Sequence, residues 1–309
     1  CFYSDAKKEH INPYNYFTKN EIDSLLIKES RKANKNISLI SVEKPNIILI
    51  IMEGLAAEIL FNEEKLTPNL DSIIDKSLYF ENIYATSTRT DRGLVSILSG
   101  YPSLPNISIV KEPDKASRIS FLPKEFKKKG YSTTFIYGGE SEFANIKSYL
   151  LNSKFDKIID KNFFHKKDMN SKWGAHDHIV FNESLTQLKN IKEPFFTTIL
   201  TLSSHEPFEV PMKTIIKGDD RQSLYKNSVM YLDRSIENFM DKVSTEKYYD
   251  NTVFIFISDH GFRVGDVGNR DKKRYHIPFF IYGPPINNKW VGKKISNVGS
   301  QSDLPKTIL

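Results

Sequence analysis

The sequence predicts an α/β fold with a mainly parallel central sheet flanked by helices, and three observations carry that expectation. Apolar runs without polar alternation recur at 46–52, 195–202 and 253–257, as strands covered on both faces require. Segments of helical periodicity separate them, so that strands and helices alternate along the chain. Each of these runs also ends in polar, chemistry-bearing residues, which in an open α/β sheet gather at the carboxyl edge where ligands bind.

Residues 1–44 are polar and lysine-rich, with one compact aromatic cluster at Ile11-Asn-Pro-Tyr-Asn-Tyr-Phe17, and read as an arm or linker. Residues 45–309 read as one catalytic-sized domain. Its first strand is Asn46-Ile-Ile-Leu-Ile-Ile-Met52, which stops at Glu53-Gly54. Thr67-Pro68 then offers an N-cap followed by proline at the first helical position, with Leu70, Ile73 and Ile74 on one face. Leu78–Tyr84 is a strand. The run Ala85-Thr-Ser-Thr-Arg-Thr-Asp-Arg-Gly93 is rich in hydroxyls and guanidinium groups, and leads into a helix beginning near Leu94. A hydroxyl at such a helix start is well placed to ionise and to meet a phosphate; equally, it is where a capping threonine stands.

Phe121–Lys129 forms a helix closed by Gly130, and Tyr131–Tyr137 a strand ending in the turn Gly138-Gly139-Glu140-Ser141. In Trp173-Gly-Ala-His176-Asp-His178 the two histidines stand at i and i+2, pointing apart, so the segment reads as structural. Phe195–Leu202 is a buried strand ending in Ser203-Ser204-His205-Glu-Pro207. A helical stripe runs from Tyr225 to Val243, and Val253–Ile257 leads into Ser258-Asp259-His260-Gly261. A last strand, Ile277–Tyr282, follows Lys272-Lys-Arg-Tyr-His276.

Composition narrows the function. Lysine and arginine exceed acidic residues by 44 to 38, a dispersed net charge of +6 that suits anionic lipid or phosphate-bearing substrates and is too weak for nucleic-acid binding. Cys1 is the single cysteine, so neither an internal disulfide nor a thiolate metal cluster is available. No apolar run reaches the roughly 20 residues of a membrane-spanning helix. A start at Cys1 rather than Met points to removed upstream sequence, with Cys1 a lipidation site, a proteolytic start or a tag scar. Glu53, the 138–141 turn, His205 and Asp259-His260 end four apolar strands. Carboxylate, Asp-His pair and hydroxyl together make an oxygen-and-nitrogen donor set for a divalent cation.

Asn46–Glu53, Thr67-Pro-Asn-Leu70, Thr88-Arg-Thr-Asp-Arg-Gly93, Tyr137-Gly-Gly-Glu140, Leu202-Ser-Ser-His-Glu-Pro207 and Ser258-Asp-His-Gly261 form an ordered series. It resembles the sulfatase-type domain of lipoteichoic-acid synthases and of phosphoglycerol or phosphoethanolamine transferases, in the alkaline phosphatase superfamily. The resemblance implies Thr90 as nucleophile, and Glu53, Thr90, Asp259 and His260 as ligands of one Mn²⁺ or Mg²⁺, with Zn²⁺ less suited. It implies His205 as a phosphate or head-group ligand, and His276 as a further candidate in the same pocket. Arg89 or Arg92 would offset charge on the phosphate, although adjacent places on one turn keep both from reaching it.

The implied reaction takes a head-group phosphate from a membrane phospholipid, through a phosphothreonine, to a glycan or glycolipid acceptor. A phosphodiesterase using water, or a non-catalytic domain that senses head groups, are the alternatives. The resemblance also implies a transmembrane segment upstream, a position outside the cytoplasmic membrane of a bacterium, and a trimmed carboxyl end, since Ser300-Gln-Ser-Asp-Leu-Pro-Lys-Thr307 resembles a late family segment. Two departures bear on specificity and chemistry. Ala144-Asn145-Ile146 stands where the synthases carry Trp-Asn-Arg, and Thr90-Asp-Arg lacks the Cys or Ser, then Pro and Arg, that sulfatases convert to formylglycine.

Overall fold

The computed structural model describes residues 16–32, 38–265, 267, 268 and 270–309. Cys1 and the first part of the 11–17 aromatic cluster lie outside them. The chain divides into two units, Cys1–Ser38 and Leu39–Leu309. In the first, Lys19–Lys32 is a helix, α1, which the arm reading did not anticipate. Its start is a capping box: Glu21 accepts from the Thr18 amide and hydroxyl at 2.7 and 2.8 Å, while the Glu21 amide reaches Thr18 Oγ1 at 3.4 Å. The Thr18-x-x-Glu21 spacing was the legible signal. In the second unit Leu39–Ser41 already pair with the 285–287 turn, ahead of residue 45.

The second unit is built on a nine-stranded sheet. Its strands are β1 (Asn46–Met52), β2 (Leu78–Tyr84), β3 (Ser132–Tyr137), β4 (Lys157–Ile159), β5 (Phe195–Leu200), β6 (Thr252–Ser258), β7 (His276–Ile277), β8 (Phe279–Tyr282) and β9 (Lys294–Ser300). They run in the order β4-β3-β5-β1-β6-β8-β2-β7, with β9 beside β2. The first five in that order are parallel, as the uninterrupted apolar runs predict. The remainder is mixed: β8 is antiparallel to both β6 and β2, and β9 is parallel to β2. The expected strand 277–282 is interrupted at Pro278, which has no N–H for the ladder, so β7 and β8 pair with opposite ends of β2.

All seven residues of β1 are buried. Ile48, Ile50 and Met52 enter one apolar cluster and Ile47, Leu49 and Ile51 the other, as a period of two demands. Each fully buried isoleucine contributes roughly 1.5–3 kcal/mol. The first face is covered by α2 (Pro68–Ile74), α7 (Asp177–Asn190) and α8 (Arg221–Val243). The second is covered by α3 (Thr90–Ser99), α5 (Leu122–Lys128), α6 (Ile146–Ser153) and the short α9 (Leu304–Ile308); α4 (Pro113–Ala116) is a single turn nearby.

One cap differs from expectation. Thr67 does not cap α2 through its side chain, which instead meets Ile59 O at 3.4 Å and Asp71 Oδ1 at 3.1 Å. The open amides at the helix start are taken by Asp233 of α8, which accepts from Asn69 N at 3.2 Å and Leu70 N at 2.8 Å. Burial lifts the Asp233 carboxyl to about 6, against those hydrogen bonds.

Candidate active site and metal centre

The parallel strands β3, β5, β1 and β6 bring their carboxyl ends to one edge, and the polar residues that follow them line one cavity of about 660 Å³. Glu53 follows β1 directly, with its amide donating to Thr201 Oγ1 at 2.9 Å. Gly54 adopts φ +60°, a conformation glycine takes without steric cost, and its amide donates to Asp259 Oδ1 at 2.8 Å. Asp259 follows β6, and the same Oδ1 accepts from His260 N at 2.8 Å. Two neighbouring strand ends are thus tied through one carboxylate oxygen.

Thr90 is the first residue of α3, so the helix begins one turn before Leu94, where its apolar pattern starts. Its Oγ1 donates to Glu53 Oε2 at 3.0 Å. The helix sits this deep because residue 93 is glycine: a Cβ there would lie 2.1 Å from Asp259 O. Glu53, Asp259 and His260 each present a ligand atom within 4.8 Å of the others, and Glu53 and Asp259 are buried.

The electrostatics of this group fit a cation. Burial raises the Asp259 carboxyl and the Glu53 charge raises it further. Burial also pushes Glu53 up, but hydrogen bonding and charge from His260 outweigh it and hold the carboxyl low. Burial would lower His260; the Asp259 and Glu53 carboxylates overcome it and raise the imidazole. His260 Nε2 lies 3.2 Å from Glu53 Oε1 and 3.6 Å from Asp259 Oδ2. Its Nδ1, 3.0 Å from Gly261 O, can donate there and leave Nε2 as a ligand atom. Asp259 Oδ2 is buried without a hydrogen-bond partner, the kind of orphan oxygen a metal satisfies. Two buried carboxylates, an imidazole and a hydroxyl suit a hard or borderline divalent ion.

The remaining expected residues divide. His205 lines the cavity, its ring edge-on to Trp173 at 4.7 Å and Nδ1 2.8 Å from Glu206 O. Arg89 also lines it, and its guanidinium has no hydrogen-bond or ion-pair partner among the described residues. Arg92 does not line it: its guanidinium turns to Leu104 O at 3.0 Å and to Ser103 Oγ and Pro105 O at 3.4 Å. Arg89 is the N-cap of α3 with extended backbone (φ −142°, ψ 138°), so it leaves the chain before the helical turn that carries Arg92. His276 stands outside the cavity lining as well, with both nitrogens engaged, Nδ1 by Glu58 at 3.1 Å and Nε2 by Glu81 O at 2.7 Å.

Of the 173–178 segment, His176 and His178 are structural: His176 is buried and His178 Nδ1 lies 2.5 Å from Tyr231 Oη. Trp173 is different, for it forms cavity wall, a role its chain neighbours did not disclose. Arg221, Arg274 and Lys111 line the cavity unanticipated. Arg221, at the start of α8, pairs with Glu206 and lies over the Phe262 ring at 4.7 Å. Ala144 and Ile146 border the cavity and give it an apolar stretch of wall.

A model of the family described as Sulfatase matches residues 45–309. The lipoteichoic acid synthase-like YvgJ of Bacillus subtilis is 23% identical over 291 residues, covering 85% of this chain and 46% of that protein. Phosphoglycerol transferase I of Xanthomonas campestris is 26% identical over 294 residues, covering 86% of this chain and 40% of the transferase. The chain therefore spans less than half the length of these relatives. Among solved structures, an alkaline phosphatase superfamily protein from Vibrio parahaemolyticus superposes with a TM-score of 0.81 at 29% identity, over 96% of this chain and 75% of its own. The lipoteichoic acid synthase LtaP of Listeria monocytogenes shares the fold, with a TM-score of 0.75 at 21% identity over 91% of this chain and 76% of its own. With its helix-flanked, mostly parallel sheet and a family match reaching from the first strand to the last residue, the chain belongs to the sulfatase family, within the alkaline phosphatase superfamily.

Proposed function

We propose that this domain transfers the head-group phosphate of a phospholipid, phosphoglycerol or phosphoethanolamine, to a hydroxyl of a glycan or glycolipid, through a phosphothreonine at residue 90. The observation that carries the reading is the Thr90 hydroxyl, 3.0 Å from Glu53 at the start of α3, beside the buried Glu53 and Asp259 carboxylates and the half-buried His260, and open to a cavity of about 660 Å³. The names of the matched synthases and transferases support the same class of chemistry.

Glu53, Thr90, Asp259 and His260 would hold one Mn²⁺ or Mg²⁺, which when bound supplies Lewis-acid charge that favours an ionised Thr90 oxygen. Thr90 Oγ1 forms the new bond to phosphorus, and the bond from phosphorus to the diacylglycerol oxygen breaks. Diacylglycerol leaves with a proton on its oxygen, balancing the one that the Thr90 hydroxyl gave up. The acceptor hydroxyl then attacks the phosphothreonine, giving its proton up as Thr90 Oγ1 departs. Arg89 meets the charge of the phosphoryl oxygens, and the helix start adds backbone N–H groups. His205 and Trp173 form the wall the head group meets, with the Arg221–Glu206 pair beyond. In this reading an upstream membrane segment keeps the cavity near its lipid, on the extracytoplasmic side.

The test is turnover of a fluorescent phosphatidylglycerol or phosphatidylethanolamine by the purified domain with Mn²⁺, following diacylglycerol release and the mass of the Thr90 peptide. Thr90→Ala is expected to abolish both release and the phosphorylated peptide while circular dichroism stays native. Full turnover in Thr90→Ala overturns the assignment. Adding a polyol acceptor separates transfer from hydrolysis, because a transferred head group gains the acceptor's mass.

A further inference from the structure

Gln301 is fully buried, and both ends of its amide are used. Its Oε1 accepts from Thr86 N at 2.7 Å. Its Nε2 donates to Asp259 O at 2.9 Å and to Ser258 O at 3.3 Å. Thr86 lies four residues before Thr90, and Asp259 is one of the carboxylates of the metal group. The side chain therefore spans from the loop that delivers the hydroxyl to the strand end that delivers the carboxylate.

That connection is not duplicated by the sheet. Thr86 follows β2 and Asp259 follows β6, and β8 stands between these two strands, so no backbone ladder joins them directly. The support of Gln301 is itself firm. It follows β9, whose last residue Ser300 is in register with Tyr84 at the end of β2. A capping box, Ser302 N to Ser300 Oγ and Ser300 N to Asp303 Oδ2, fixes the turn that carries it. Asp259 O is also the atom against which Gly93 packs, so the amide and the first turn of α3 converge on one carbonyl.

We infer that Gln301 is a positioning residue that sets the separation between the Thr90 hydroxyl and the Asp259 carboxylate, acting through the Thr86 amide and the Asp259 carbonyl. It touches neither substrate nor the reacting atoms. The inference rests on the reading of Thr90 as nucleophile and of Glu53, Asp259 and His260 as metal ligands. Outer groups that orient metal ligands typically cost 10–100-fold in affinity or activity when removed, and a misplacement of about 1 Å costs on the order of 10²-fold in rate.

The experiment compares Gln301→Met, which keeps the length and removes both polar ends, with Gln301→Asn, too short to span both partners. Asn46→Met is the control: Asn46 is a fully buried amide at the opposite end of β1, bridging Glu193 Oε2 and Phe195 N. Both Gln301 variants are expected to lose roughly 10–100-fold in kcat with KM held near wild type, and their metal-free forms to bind Mn²⁺ about tenfold or more weakly by calorimetry. Asn46→Met is expected to lose melting temperature without either change.

Wild-type kcat and Mn²⁺ affinity in the Gln301 variants overturn the inference, as do losses no larger than those of Asn46→Met at equal melting temperature. If Gln301→Met does not fold, Gln301→Asn decides alone, since its amide remains able to satisfy one end. Full activity of Thr90→Ala would instead remove the functional reading on which the inference stands, so the two failures are distinguishable.

Discussion

Gly93→Ala is the sharpest test of how closely α3 must approach the metal group. The new methyl carbon would lie 2.1 Å from Asp259 O and 2.8 Å from the carbonyl carbon, and both obstructing atoms are backbone, with no flexible side chain to yield. Cβ atoms essentially never approach within 3.0 Å, so α3 or the β6 end must give way by the difference, about 0.9 Å at minimum. Passed on to residue 90, that shift takes Oγ1 from 3.0 Å to about 3.9 Å from Glu53 Oε2, beyond hydrogen-bond reach. Misplacement on this scale costs on the order of 10²-fold in rate, equivalent to about 2.7 kcal/mol in the barrier. Overpacking adds a stability loss of about 1–3 kcal/mol. Diacylglycerol release with Mn²⁺ reads the first effect and thermal denaturation the second. A variant with wild-type turnover and an unchanged melting temperature would refute the argument that this glycine seats the helix.

Chelation and pH supply two more outcomes. Mn²⁺ at about 100 times its Kd should stabilise the chelator-treated domain by about 2.7 kcal/mol, several degrees in melting temperature, and Asp259→Asn should lose most of that shift; no Mn²⁺-dependent shift in the wild-type protein would sink the metal assignment. The hydrogen bond that His276 Nδ1 donates to the Glu58 carboxylate raises the imidazole above its ordinary value, against burial. A raised folded-state pKa gives stability that is full below the unfolded value near 6.5 and is lost as pH rises through the folded value. The melting-temperature loss in His276→Gln should therefore be larger at about pH 6 than at about pH 9, with turnover at fixed Mn²⁺ little changed in proportion. An equal loss at both pH values contradicts the charged Glu58–His276 pair.

The parallel half of the fold was legible because its information is local. The six residues that follow Asn46 in β1 are buried and apolar whatever their partners, and a carboxylate ending such a run stands at the sheet edge by chain geometry alone. The same logic marked Asp259 after β6 and His205 after β5. It failed where polarity does not alternate cleanly or the element is short. β9 is largely exposed and reads Lys-Ile-Ser-Asn-Val-Gly-Ser, and β4 has only three residues. Pro278 should have signalled the break between β7 and β8.

The sequence by itself determined which residues end the central strands, and so Glu53, Asp259 and His260 of the candidate metal group; the order of strands follows from apolar patterning and right-handed crossovers only in part. Tertiary structure alone decided which side chains meet. It turned Arg89 into the cavity and Arg92 to the 103–105 backbone, occupied both nitrogens of His276, and replaced the expected Thr67 cap by Asp233. It also brought Gln301 to Thr86 across 215 positions of chain. The physical reason is one of range. Burial and strand ends are properties of a few consecutive residues, whereas the direction of a side chain and the identity of its partner depend on segments elsewhere along the chain, 12 residues away for Arg92 and 215 for Gln301, that folding alone sets side by side.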